Sequence, residues 1–207
     1  MSRLVLLALL VAGLGGCAGS APPVPRDHYY RVLVPSPAAP SETVRFPGVL
    51  SVKPLEADGL LRERPLLFSP SGRPHEMQQH HYHYWVDPPP RMLQGQLVDY
   101  LRGSGLAEAV ITPELRIRPN FEVTGRIKRL ERLLGGGPPR VVAELELALV
   151  RTAGNELVVI KTYAAEVASA DGSVESSILA LNAALAEIFA RFLADAGWRD
   201  LAVQPDG

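Results

Sequence analysis

The sequence predicts an α+β domain in which a mostly antiparallel, mixed sheet carries two amphipathic helices packed on one face. Three observations support this prediction. Segments of alternating apolar and polar residues fall into two groups, an amphipathic helical pattern follows each group, and glycine- or proline-rich turns separate the segments. The element order is therefore strands, helix, strands, helix.

The first residues stand outside this domain. Arg3 precedes an unbroken apolar run at residues 4–11, and small residues lead from there to Cys17. This pattern predicts a secretion signal over residues 1–16, because the run is much shorter than the roughly 20 apolar residues that span a bilayer. We expect the rest of the chain to divide into a lipidated cysteine with a tether at 17–27, a single domain at 28–203 and a tail at 204–207.

Leu14-Gly15-Gly16-Cys17 resembles the lipobox of bacterial lipoproteins. The resemblance implies a diacylglycerol on the sulfur of Cys17 and a further acyl chain on its amine, and several chains together anchor a protein stably. Cys17 is the only cysteine, so the chain forms no internal disulfide. Ala18, where an Asp would signal inner-membrane retention, favours the outer membrane. A signal followed by a chance cysteine is the alternative.

The first group of strands is short. We predict strands at residues 29–34, at 44–52 with a break at Pro47-Gly48, around 66–68, and at 80–86. Alternation in the last of them places Tyr82, Tyr84 and Val86 on one face and His81, His83 and Trp85 on the other.

The first helix follows directly. Asp87 is a candidate N-cap, prolines 88–90 fit the first turn, and Gly103 and Gly105 end the pattern. The apolar face repeats at steps of three and four through Met92, Leu93, Leu97, Tyr100 and Leu101.

The second group reads as an antiparallel meander. After a short apolar segment at 110–111, strands are predicted at 121–128, 143–149 and 157–167, with a turn at 135–139. The last helix has Ser173 as its cap and Gly197 as its stop. Its apolar face comprises Ile178, Leu181, Leu185, Ile188 and Phe192.

Composition excludes several functions. The formal net charge is −1 and the 21 basic residues are scattered, so the chain shows no footprint for nucleic acid. No phosphate-binding Gly-x-x-x-x-Gly-Lys-Ser/Thr loop is present. Neither a Ser/His/Asp set nor paired carboxylates stand out, so we predict that the protein is not an enzyme, and a hydrolase is the weakest alternative.

Two sets of side chains are candidate sites. His81 and His83 on one strand face could share a Zn²⁺, with His75, Glu76 and His80 nearby. Third and fourth ligands are not evident, so we predict no metal site and no cofactor apart from the covalent lipid. Tyr82, Tyr84 and Trp85 could line a groove for a partner or an acyl chain, although aromatic residues in such a strand more often belong to the core.

The passage His83-Tyr84-Trp85-Val86-Asp87-Pro88-Pro89-Pro90-Arg91-Met92-Leu93 is similar to the strand-to-helix passage of the ABC-type transport auxiliary lipoproteins. The lipobox, Tyr29-Tyr30-Arg31, and the meander followed by a helix extend the resemblance over most of the chain. Tyr84 departs from the pattern, because many relatives carry a basic residue there.

The resemblance implies a non-enzymatic component of an envelope lipid transport system, held by its lipid at the periplasmic face of the outer membrane. Its expected partners are an ABC permease, its ATPase and a protein with a mammalian-cell-entry domain, together with further copies of the chain itself as a possible homo-oligomer. A structural envelope lipoprotein without a transporter is the alternative.

Overall fold

A computed structural model describes residues 24–37, 39–42, 44–73 and 75–195. In this part of the chain the strands are β1 (His28–Tyr30), β2 (Phe46–Val52), β3 (Pro65–Pro70), β4 (Gln78–Trp85), β5 (Ala107–Ile111), β6 (Phe121–Leu134), β7 (Arg140–Arg151) and β8 (Glu156–Ala168). The helices are α1 (Pro89–Ser104) and α2 (Val174–Ala194). This order confirms the predicted α+β class. The predicted signal peptide, Cys17, Gly197 and the tail lie outside the described residues.

The mixed sheet is built around β6. The predicted antiparallel meander is confirmed, because β7 pairs with β6 and β8 with β7. Two strands share the other edge of β6: Leu50 of β2 lies opposite Phe121, and Phe68 of β3 lies opposite Arg132. Beyond them β5 joins β2, β4 joins β3 and β1 joins β4. The long pairings are antiparallel, whereas the short ones of β1–β4, β2–β5, β2–β6 and β3–β6 are parallel.

Both helices pack on the same face of the sheet, α1 against β2 and β5 and α2 against β7 and β8. They also meet each other, with the rings of Tyr100 and Phe189 edge to face at 5.4 Å. Full burial of a Leu or Phe side chain contributes about 1.5–3 kcal/mol. By length and composition α2 could cross a membrane, but it packs as a core helix with Leu185 and Ile188 fully buried.

At the helix ends, the structure confirms two of the predicted capping residues and contradicts a third. The Ser173 hydroxyl accepts a hydrogen bond from the Ser176 backbone N–H at 3.0 Å and caps α2. Gly105 ends α1 in the left-handed conformation, with φ of 66°. The prediction that Asp87 caps α1 is wrong, since Pro88 occupies the N-cap and no side chain bonds there. The prolines of the first turn lack the N–H groups that a capping carboxylate would accept from.

The predicted strand at 29–34 is too long, because the chain leaves the sheet after Tyr30. The backbone N–H of Leu33 donates to Asn182 Oδ1 of α2 at 3.0 Å, and that of Val34 donates to Gln96 Oε1 of α1 at 2.7 Å. These side chains satisfy amides that a neighbouring strand would otherwise bind. The segment therefore crosses from the sheet onto both helices.

Alanine substitutions at two glycines should change the free energy of unfolding in opposite directions. A Cβ on Gly125 of β6 would collide with the backbone carbonyl of Glu146 on β7, so Gly125→Ala should lower the free energy of unfolding by about 1–3 kcal/mol. A Cβ on Gly95 of α1 would meet open space, so Gly95→Ala should raise it by about 0.5–1 kcal/mol. Urea unfolding of both variants checks the pair, and shifts of the same sign would contradict it.

Candidate functional site

Tyr82, Tyr84 and Trp85 lie near the end of β4 in three different environments. Trp85 is 3% exposed and belongs to the core, Tyr84 is half-buried, and Tyr82 is 41% exposed. Tyr82 also has a φ of 63°. Such a backbone conformation is rare for a bulky residue and costs on the order of 1–3 kcal/mol.

A bulge in β4 explains these differences. Pro65 lies opposite Tyr84 and Leu67 opposite Gln79, so β4 advances five residues where β3 advances two. Bulges of this kind re-aim side chains. The predicted alternation holds from Tyr84 to Trp85 but is broken upstream, where the rings of His80 and His83, rather than those of His81 and His83, come together at 5.7 Å.

The face of β1 and β4 that points away from the core carries an aromatic and cationic surface. Tyr29 lies opposite Tyr84 in the sheet, and their ring centroids are 5.7 Å apart. The Arg64 guanidinium lies over the Tyr29 ring at 5.3 Å, and its Nε donates to the carbonyl of Trp85 at 3.0 Å. We call Tyr29, Tyr84 and Arg64 the tyrosine patch. Tyr29 is 55% exposed, so the patch faces solvent.

The opposite side of the same strands carries a histidine cluster, formed by His28, Tyr30, His80 and His83. The rings of His28 and His83 stack at 5.2 Å, and the Tyr30 hydroxyl is hydrogen-bonded to His83 Nδ1 at 2.9 Å. His80 contacts Phe68 with 4.6 Å between ring centroids. Over the described ranges, no three His, Cys, Asp or Glu side chains are placed to hold a metal ion. The cluster joins β1 to β4 through rings and one hydrogen bond.

Arg132 of β6 lies under this cluster and is 6% exposed. Its guanidinium donates to His80 Nε2 at 3.0 Å and to Ser177 Oγ at 2.9 Å. It also donates to the carbonyls of Gly172 and Ser173, at 3.0 and 3.2 Å. Each of these acceptors is neutral. Arg132 therefore ties β6 to β4 and to the loop that precedes α2.

The buried arginine keeps its histidine neighbours neutral. Because arginine only donates, His80 Nε2 must accept and cannot carry a proton. Burial, and then the charge of Arg132, lower the pKa of His80 to about 4. Burial also lowers the pKa of His83, with further contributions from His28 and Arg132.

These shifts predict acid sensitivity. The folded protein holds His80 neutral, whereas the unfolded chain binds a proton near its ordinary pKa of 6.5, so lowering the pH from there towards 4 favours unfolding. Since His80 is half-buried and partly screened, the expected loss between pH 7 and pH 5 is only about 1 kcal/mol. Urea unfolding at both pH values should show that His80→Gln removes this loss. Equal pH dependence in the two proteins would contradict the assignment.

A cleft of about 630 Å³ opens beside the start of α1. Its walls are the segment that follows β1, the first turns of α1 and the loop after β5. Gly95 lies in its lining and presents no side chain. The apolar lining residues are Val32, Leu33, Val86 and Met92, and the charged ones are Arg31, Asp87, Arg91 and Glu114. The cleft thus combines apolar walls with charges of both signs.

Several residues of these sites escaped the sequence-based prediction, among them Arg132, Tyr29 and Arg64. Arg132 did not follow from alternation, because a register shift between Ile127 and Arg129 moves the even-numbered positions of β6 onto the core face. Tyr29 meets Tyr84, and Arg64 meets Tyr29, only through pairing of segments distant in sequence, which no local pattern reveals.

Comparison with known proteins gives a family and a fold. The family model described as an ABC-type transport auxiliary lipoprotein component matches residues 30–192. No curated protein matches the chain in sequence. Among solved structures, a protein from Xanthomonas campestris is similar with a TM-score of 0.71 at 21% identity, covering 83% of this chain and 93% of its own.

An uncharacterised protein is also similar, with a TM-score of 0.63 at 13% identity. That likeness covers 81% of this chain and 97% of the other. At these identities the two structures support the fold, while the matched range runs from β1 into the last turn of α2.

Proposed function

Because the chain belongs to the family of ABC-type transport auxiliary lipoproteins, we propose that it is the membrane-anchored binding and scaffolding component of an envelope lipid transport system. The family match over residues 30–192 carries this proposal, since it spans nearly all of the described fold. The family comprises auxiliary transport components rather than enzymes, and its members are lipoproteins of the cell envelope.

The sequence before the domain supports an anchoring role. Leu14-Gly15-Gly16-Cys17 has the form of a lipobox, and Cys17 would carry a diacylglycerol and an N-acyl chain. Ala18 follows in place of the aspartate that retains lipoproteins at the inner membrane. We place the protein at the periplasmic face of the outer membrane on these grounds.

The partners we propose are an ABC permease, its ATPase and a protein with a mammalian-cell-entry domain. The cleft beside α1 is the surface that we assign to such a partner. Protein interfaces combine an apolar centre with a polar rim, and the cleft offers Leu33 and Val86 beside Arg31 and Arg91.

Affinity capture tests the proposed function. The tagged full chain is extracted in mild detergent, and co-purification of the permease, the ATPase or a mammalian-cell-entry protein is the expected result. Repeated recovery of peptidoglycan-associated proteins alone would favour a structural lipoprotein without a transporter. Neighbouring genes for a permease and an ATPase would add support.

A matched pair of tryptophan variants tests the cleft. Gly95→Trp adds a large side chain to the lining of the cleft, at a position where a Cβ meets open space, and should reduce co-purification of the partner at least about tenfold. Asp99→Trp places the same side chain one turn further along α1, on an exposed position outside the cleft, and should leave capture unchanged. Equal capture by both variants would place the partner elsewhere.

A further inference from the structure

The tyrosine patch occupies the point at which the chain enters the fold. Tyr29 belongs to β1, the first strand, and only eleven residue steps separate Cys17 from His28. A fully extended chain rises about 3.3–3.6 Å per residue, so β1 lies within about 40 Å of the lipid-linked sulfur. The tether therefore limits how far the outer face of β1 and β4 can lie from the bilayer.

The chemistry of this face is unusual for a solvated sheet. The exposed Tyr29 ring and the half-buried Tyr84 ring lie tilted to each other with 5.7 Å between centroids, and the Arg64 guanidinium lies 5.3 Å from the Tyr29 ring. Two residues before Tyr84, the bulge holds Tyr82 in a left-handed conformation with its side chain 41% exposed. Among the described residues its one ring contact is with His81, at 6.4 Å.

Tyrosine and arginine together suit the headgroup layer of a membrane. Tyrosine rings concentrate at the membrane–water interface, where the ring is partly in the apolar layer and the hydroxyl remains hydrated. Arginine binds phosphate oxygens with two parallel hydrogen bonds. Arg64 Nε donates to the Trp85 carbonyl, and the guanidinium lies over the exposed Tyr29 ring.

We propose that the tyrosine patch, with Tyr82 at its margin, rests on the phospholipid headgroups of the bilayer that holds the Cys17 lipid. This inference rests on the lipidation included in the proposed function. The contact fixes which part of the domain faces the bilayer, and β8, at the other end of the strand order from β1, lies outside the contact. The anchor thereby sets orientation as well as distance.

Spin labelling tests this orientation. Cys17 is the only cysteine and its sulfur is lipid-linked, so an introduced cysteine is the single free thiol. His81→Cys labels the exposed neighbour of Tyr82 and keeps all three tyrosines, while Leu157→Cys labels β8, where the native side chain is 55% exposed. The full lipidated chain is placed on vesicles of phosphatidylethanolamine and phosphatidylglycerol, and collision with water-soluble nickel is measured by electron paramagnetic resonance.

The label at position 81 should lose nickel access at least about threefold on vesicles relative to the unlipidated Cys17→Ser protein in buffer. The label at position 157 should be unchanged. Adding Tyr29→Ser and Tyr84→Ser should restore access at position 81.

The outcomes separate this inference from the proposed anchor. A protein that floats with the vesicles while position 81 stays open to nickel overturns the headgroup contact alone. Protection at position 81 that appears only when a partner protein is added also overturns it, in favour of a protein interface. A protein that does not float overturns the lipid attachment and this inference together.

Discussion

Replacing Arg132 by methionine is expected to lower the free energy of unfolding by about 2–3 kcal/mol and the melting temperature by about 4–12 °C. Methionine retains much of the volume, so the loss comes from polar contacts. Ser177, which is 1% exposed, and His80 each lose a donor, and the carbonyls of Gly172 and Ser173 lose their link to β6. Unsatisfied buried polar groups cost more than the hydrogen bonds themselves contribute.

Two further variants separate the network from the charge. Arg132→Lys keeps the charge but cannot reach acceptors on both sides of the guanidinium, so we expect most of the same loss. Arg126→Met removes another arginine of β6, whose side chain is 46% exposed and pairs with Glu56 and Asp58 at 2.8 and 2.7 Å. Exposed pairs contribute about 0–1 kcal/mol, so the effect should be small. Equal losses at positions 126 and 132 in urea unfolding would disprove the special role of the buried site.

The parts of the fold that follow from local periodicity were predictable. Steps of three and four indicated α1 and α2, and alternation on both sides of a glycine-rich turn indicated the meander. The parallel pairing of β2 and β3 with one edge of β6 was not predictable, because its partners are distant in sequence. β1 is shorter than predicted for a similar reason. The backbone N–H groups that follow it donate to Asn182 and Gln96 on the helices, which are distant in sequence.

The composition of the candidate sites depends more on tertiary structure than the helices and strands do. Alternation assumes that successive residues of a strand point to opposite faces of the sheet. The bulge around Tyr82 breaks this rule, and His80 rather than His81 therefore meets His83. Of the three aromatic residues singled out in the sequence, Trp85 turns into the core, while Tyr82 and Tyr84 stay at the surface. A charge at position 132 is tolerated on the core face because a loop 40 residues later supplies carbonyls, at 3.0 Å for Gly172.

Replacing Cys17 by serine is expected to move the protein almost completely from the membrane fraction to the soluble fraction of the envelope. Each buried CH₂ of an acyl chain contributes about 0.8 kcal/mol, and no surface contact of the domain approaches the sum over several chains. Cys17 precedes β1 by eleven residues and belongs to the predicted Pro- and Gly-rich tether, so the melting temperature should stay within about 1 °C of the unsubstituted chain. Fractionation and thermal unfolding measure the two effects separately.

Ser20→Ala alters the same segment but keeps the lipobox, and it should fractionate as the unsubstituted protein does. Release of the Cys17→Ser protein with an unchanged melting temperature, together with loss of transport, would mean that the lipid acts by position alone. Release with a lowered melting temperature would instead make the segment before β1 part of the fold. A Cys17→Ser protein that still sediments with membranes after a high-salt wash would contradict the anchor, because electrostatic contact of Arg64 with phosphates is screened at high ionic strength and cannot replace acyl chains.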